Sequence, residues 1–550
     1  MIRLIQALRA ITLASFAVAP ATAQEHHGAH GSEKLGTVHF PTSCAPAVSP
    51  RIDRAVALLH SFEFGASLRA FDEVIAADST CAMAHWGKAL SRWSNPMAAG
   101  NRASAQLAEG LRFADDAARL APRASERERG YIDAVGRLYR DYEHVGQGTR
   151  IAAYERAMAD LVARQPADTE ARIFHAIALV ASADPTDKSY AKQRQAGAEL
   201  EALWAKQPDH PGLAHYIIHT YDLPALAPLA AAAARRYAEI APTAAHAQHM
   251  PSHTFTRLGY WSESVLANRA SSAAALHDSA LGEVLHASDY MEYAYLQMRR
   301  DADARAIRDR VPALAARYDP SVVRGAAPPS AAFFAIAAIP ARYALERRAW
   351  SEAASLSPRA SDYPHTEAMT YFARALGAAH LKKLSLARES VDSLAAIVPR
   401  LAASNEPYWA EQVQIQRLGA QAWLDLAEGR GADALAHMTE AANREDATEK
   451  SAVTPGPLAP ARELLGDMLM QLHRPNDALA AYRVTLTKEP NRYRALAGAR
   501  RAAAGAGDTR AAAEYARQLA RLTGARTARP LDGSHKSRAH STEARSKSRR

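Results

Sequence analysis

Cysteine is nearly absent: Cys44 and Cys81 are the two in 550 residues. In an oxidising compartment the pair reads as one disulfide tying the N-terminal leader to the first repeat, with two separate buried thiols as the alternative. Runs of alternating, β-branched residues long enough for a strand are missing as well, which leaves the helix as the building element. Beyond residue 23 no segment approaches the apolar length that crosses a bilayer. The chain also lacks H-E-x-x-H, G-x-x-x-x-G-K-[ST], G-x-S-x-G and a helix-opening G-x-G-x-x-G, so the usual peptidase, nucleotide and hydrolase signatures give no reason to read an enzyme.

The formal charge of +9 is concentrated at the ends. Residues 526–550 carry eight Lys/Arg against Asp532 and Glu543, and Arg3 and Arg9 lie in the leader, so the body is close to neutral. A near-neutral body is no electrostatic match for nucleic acid. Residues 1–23 combine Arg3 and Arg9, an apolar run and Ala21-Thr22-Ala23, the pattern of a signal peptide cleaved after Ala23. The expected location is periplasmic or secreted, with no membrane span left after cleavage. Cleavage would expose Gln24-Glu25-His26, a weak Cu(II) or Ni(II) motif, with His27 and His30 beside it. The Ser-, Arg- and Lys-rich tail reads as disordered.

What is present is a repeat. Residues 459–490 read as two amphipathic helices in which Gly466, Leu469, Ala478, Tyr482 and Pro490 occupy the characteristic places of a tetratricopeptide unit. The unit recurs in register: Gly466 to Gly498 is 32 residues, and Ala478 to Ala511 and Tyr482 to Tyr515 are each 33. The small residues let helices approach, and the aromatic fills the gap. Upstream, Pro122, Pro166, Pro208 and Pro242 close further hairpins at intervals of 44, 42 and 34 residues. The expectation is an all-α, tetratricopeptide-like solenoid of helical hairpins, a right-handed superhelix in one piece or in two arms. Its parts are a signal peptide (1–23), a polar His-containing leader (24–50), an N-terminal array (51–310), a Pro-rich joint (311–330), a C-terminal array (331–525) and a basic tail (526–550). Residues 446–457 read as a loop.

Eight of the 22 histidines lie between 210 and 286. His215 and His219 share a helix face with Asp222 at the next step. His246, His249 and His253 follow with Pro251 among them, where a proline should kink the helix or restart it. His286 and Asp289 come on the next first-type helix. In stacked hairpins the first helices line the concave side, so these imidazoles can converge there. Imidazole and carboxylate suit zinc and copper, and two histidines from each of two neighbouring helices make a tetrahedral set. The candidate ligands are therefore His215, His219, His249 and His253, with His246, His286, Asp222 and Asp289 near. The alternatives are histidines that merely hold the repeats together by hydrogen bonds, or a groove for a peptide or small molecule. Trp86, Trp93, Phe174, Tyr216, Tyr221, Phe255, Tyr260, Trp261, Tyr290, Tyr293 and Tyr295 read mostly as core, any facing the groove being suited to a partner segment.

The blocks VHFPTSCAPAV (38–48), DSTCAMAHWGKAL (78–90), HPGLAHYIIHTYD (210–222), HAQHMPSHTFTRLGYW (246–261), DATEKSAVTPGP (446–457) and PARELLGDMLMQLHRPNDALAAY (460–482) resemble a family of secreted bacterial tetratricopeptide-repeat proteins. Arg462 and Thr485 depart from the general repeat pattern. The resemblance implies a helical solenoid in the cell envelope. The functional expectation is a non-enzymatic exported scaffold whose concave groove binds a protein or peptide. The rival is a zinc- or copper-binding, or metal-dependent, envelope protein built on the histidines.

Overall fold

The structure, a computed structural model, describes residues 33–524 apart from positions 99, 323 and 452. The signal peptide, the exposed-amine motif with His26, His27 and His30, and the tail lie outside the described residues. Among the described residues there are twenty-five α-helices and no strand. Each helix packs on its sequence neighbour, and the first helices of successive hairpins also touch: Pro364–His380 packs on both Leu384–Ala403 and Pro407–Ala427. This is the all-α, tetratricopeptide-like hairpin array.

The repeat residues act as their chemistry requires. A Cβ added at Gly466 would lie 2.8 Å from the Tyr482 ring, and one at Gly498 2.3 Å from it. The ring is thus clamped between two bare helix backbones, and its hydroxyl donates to Asp467 at 2.7 Å. Gly498→Val should therefore lower stability by about 1–3 kcal/mol through overpacking. Gly136 lies in a helix with nothing closer to its absent Cβ than Arg140 at 3.7 Å, so Gly136→Ala should gain about 0.5–1 kcal/mol from helix propensity. Urea midpoints of the two variants, moving in opposite directions, check both.

Apolar burial forms one cluster under the early hairpins, around Phe40, Trp86 and Phe174, and another under the late ones, around Phe372, Trp423 and Tyr482. A smaller cluster includes Trp261, Tyr293 and Tyr343. The leader is less polar than its composition implies. Leu35, Val38 and Phe40 are buried, Phe40 stacks on Trp86, and Cys44 is disulfide-bonded to Cys81.

Two boundaries shift from the sequence reading. The helix Asp301–Arg317 continues through Pro312, so the non-helical stretch is 318–328 instead of 311–330. Proline removes one donor, but Ile307, Val311 and Leu314 bury the inner face of this helix and hold it together. The helix Gly431–Ala447 likewise runs past 446. The described residues from Leu35 on group as one compact unit. The late hairpins are bonded to the early ones: Lys188 and Tyr190 reach Glu449 at 2.6 and 2.7 Å, and the Trp261 indole donates to the Asn491 carbonyl at 3.0 Å.

Candidate metal centre

Three successive first helices carry the histidines: Pro211–Thr220, the broken pair Ala245–His249 and Pro251–Leu258, and Leu281–Gln297. Pro251 opens a new helical segment, where its missing N–H is tolerated. Met250 keeps helical angles across the break (φ −54, ψ −36). His246, His249 and His253 therefore stay near one another although the helix restarts. Gly212 allows a close approach to the helix Ser49–His60, since a Cβ there would lie 2.6 Å from His60 Nδ1. That approach brings His215 within reach of the His60 carbonyl.

All six imidazoles are buried, none more than 6% exposed. They sort into two sets of three: His215, His219 and His246, and His249, His253 and His286, with ligand atoms inside each set within 4.8 Å of one another. The sets adjoin, with ring centroids 5.9 Å apart for His219 and His253 and for His246 and His249. The structure thus draws His246 and His286 in beside the four histidines expected from spacing, and divides the six between two sets in place of one tetrahedral site.

Hydrogen bonds fix the protons. His215 Nδ1 lies 2.6 Å from the His60 carbonyl, which only accepts, so Nδ1 carries the proton and Nε2 is bare. His249 Nδ1 donates to Asn268 Oδ1 at 2.6 Å, and the orientation of that amide is set by its own Nδ2 donating to the Ser264 carbonyl at 2.8 Å. His253 Nδ1 donates to Asp222 Oδ2 at 2.9 Å. The unprotonated Nε2 atoms of His249 and His253 then face each other at 2.9 Å, with the Tyr290 hydroxyl 3.4 Å from that of His253. His215 Nε2 and His246 Nε2 are 3.1 Å apart. Neither nitrogen of His219 has a hydrogen-bond partner in the protein.

Burial, reinforced by neighbouring imidazoles, disfavours the protonated forms. It pushes His286 down to about 3, and His215 also to about 3 against the pull of the His60 carbonyl. It pushes His219, His246 and His249 well below the usual imidazole range. In His253 burial outweighs the attraction of Asp222. Burial also opposes charge on Asp222, but Lys450, Arg257 and His253 overcome it and hold the carboxyl well below its usual range. Arg257 Nε donates to Asp222 Oδ1 at 3.0 Å, and Lys450 Nζ lies 3.3 Å from Oδ2. Asp222 therefore stands behind His253 as an orienting group. Asp289 is apart from both sets: its carboxylate pairs with buried Arg342, which also reaches Glu292 at 3.4 Å.

The interior beside the histidines is closed at this level. Residues 283–297 are all buried, and Tyr293 donates to Glu489 at 3.2 Å while Lys450 caps Asp222. The aromatics on or near these helices are core, and Tyr260, 39% exposed, is the exception. A solvent-open cavity of about 110 Å³ has Arg257, Lys450, Tyr408, Trp409, Glu445 and Glu489 in its wall.

One constellation is not visible in sequence spacing. Glu170 accepts from His60 Nε2 at 2.9 Å and His210 Nε2 at 3.0 Å, and His60 Nδ1 lies 3.1 Å from the Tyr216 hydroxyl. Residues 110 and 40 positions apart share no periodicity that could have paired them. Because both Nε2 atoms donate to the carboxylate, this group is a proton-bearing brace behind His215.

A buried histidine away from the cluster gives a clean pH test. His365 is 5% exposed and stacked on Trp409 with centroids 3.8 Å apart; burial pushes its pKa from 6.5 down to about 3. The unfolded chain then binds the extra proton first, so stability falls as pH drops from 6.5 towards 3. At pH 5 the loss is about 2 kcal/mol. His365→Phe should recover that amount relative to the parent between pH 7 and pH 5, and parallel stability curves would contradict a buried neutral ring.

No family model matches the sequence, and no curated protein matches it. Among solved structures the chain is similar to the human IFIT1 dimer with PPP-AAAA, at 11% identity and TM-score 0.38, over 87% of this chain and 95% of that one. It is also similar to the human IFIT1 dimer with m7Gppp-AAAA (11% identity, TM-score 0.36, 80% and 90%). A third similarity is to the APC/C hetero-tetramer Cut9-Hcn1 (11% identity, TM-score 0.31, 86% and 93%). These superpositions are loose, and neither site nor partner is carried across from them; the fold class rests on the hairpins of this chain.

Proposed function

We propose that this protein is a metal-binding protein that holds zinc or copper in a buried centre made by His215, His219, His246, His249, His253 and His286, with Asp222 orienting His253. The observation that carries the reading is the pair of bare Nε2 atoms of His249 and His253 facing each other at 2.9 Å. Two lone pairs at that distance repel unless a cation lies against them, and each ring is held in place from behind, as ligating histidines are. Two imidazoles on one ion at ordinary bond lengths stand about 3.3–3.5 Å apart, so the rings need to move only a few tenths of an ångström to bind.

A protein or peptide partner in the concave groove is the second reading, and it has no comparable observation behind it beside the histidines, where Lys450 and Glu489 close the interior. Export remains part of the proposal on the pattern of residues 1–23, and mass spectrometry of the secreted or periplasmic form should find the N-terminus at Gln24.

Elemental analysis of the purified full chain tests the metal reading. Stoichiometric zinc or copper is expected, falling by at least half in His215→Ala/His219→Ala. Metal-free protein that also takes up none on dialysis against either ion would remove the reading.

A further inference from the structure

Resting on that reading, we infer that the centre is dinuclear and takes copper(I), one ion in each three-histidine set. Each set offers three imidazoles and neither a carboxylate nor a thiolate. The carboxylate hydrogen-bonded to an imidazole of the cluster, Asp222, is already matched by two cations, Arg257 and Lys450. A divalent ion in each set would bring four positive charges into a buried, uncompensated space. The cost of burying an ion grows with the square of its charge, so a monovalent ion meets about a quarter of the penalty of a divalent one. Zinc in a three-histidine site completes its shell with water or another fourth ligand; copper(I) is satisfied by three neutral ligands and needs no anion.

The geometry supports two ions over one. Among the described residues the six imidazoles group as two threes whose ligand atoms lie within 4.8 Å of one another, and not as a single larger group. The facing nitrogens within them are close, 3.1 Å for His215 and His246 and 2.9 Å for His249 and His253. The third cluster of potential ligands, His60, Glu170 and His210, adds no copper site, because its Nε2 atoms are engaged as donors to Glu170.

The test is anaerobic titration of the metal-free full-length chain with copper(I) against a chromogenic copper(I) chelator, with zinc(II) titrated in parallel. Two tightly held copper(I) ions per chain are expected. His219→Leu should lose one and keep one, and His286→Leu should do the same from the other set; both removed together should leave none. Circular dichroism confirms that each variant is folded, and His246→Leu replaces His219→Leu if that protein fails to fold. A single copper(I) per chain, a loss of both ions in every single variant, or one zinc(II) per chain with no competitive copper(I) binding would overturn this inference while leaving a metal-binding protein. Failure to bind any metal would instead remove the reading beneath it.

Discussion

Arg492→Leu should destabilise the protein by about 3–5 kcal/mol, the usual result of removing one partner from a buried ion-pair network. The guanidinium is fully buried; Nε donates to Glu463 Oε2 at 2.7 Å, Nη2 to Glu346 Oε1 at 2.5 Å and Nη1 to the Tyr293 hydroxyl at 3.1 Å. Without the cation, Glu463 and Glu346, 0% and 5% exposed, are left as uncompensated charges. Arg494 can serve only part of that need, since it is shared between Glu463 and Asp467. The damage should shrink in Arg492→Leu/Glu463→Leu, which removes charge of both signs. Urea unfolding of the two variants measures the difference, and a loss under 1 kcal/mol in the single variant would show that the network does not hold the late hairpins in place. The position matters because residue 492 ties the last repeats to the helices Pro329–Glu346 and Leu281–Gln297, and so closes the interior beside the histidines.

Metal loading should move stability by a similar amount in the other direction. A ligand that binds only the folded chain, present at a thousand times its dissociation constant, adds about 4 kcal/mol per site. Two mutually repelling lone pairs become two bonds, and the unpartnered His219 gains a ligand role. The gain should fall by about half in His249→Leu, which removes from one of the two sets a ligand that Asn268 holds from behind. An equal rise in melting temperature for the parent and His249→Leu would place the metal elsewhere on the chain.

The sequence exposed the local part of this architecture. Gly466, Tyr482 and Gly498 recur at the repeat period, and their contacts are those the period implies. His215 with His219, and His246 with His249 and His253, were legible because helical spacing puts residues three and four apart on one face. What spacing does not encode is contact between distant segments. Lys450 meets Asp222 across 228 positions, Arg342 takes Asp289 away from the histidines across 53, and His60 supports His215 across 155. For the same reason the closed interior beside the histidines could not be read in advance: it depends on late residues such as Lys450 and Glu489 meeting early helices. The start of the Pro-rich joint at 311 differs from the structure because the local breaking tendency of Pro312 is outweighed by the apolar face that buries its helix.

The account turns on whether imidazole nitrogens of the buried cluster bind the metal. Metal-edge X-ray absorption on the loaded full-length protein measures this directly. The expected spectrum has a first shell of about three nitrogens near 2.0 Å with the outer-shell scattering of imidazole rings; the bound metal falls by half in His219→Leu and in His286→Leu and is lost when both are replaced. An oxygen-dominated shell, or a metal content unchanged by the two substitutions together, would contradict it.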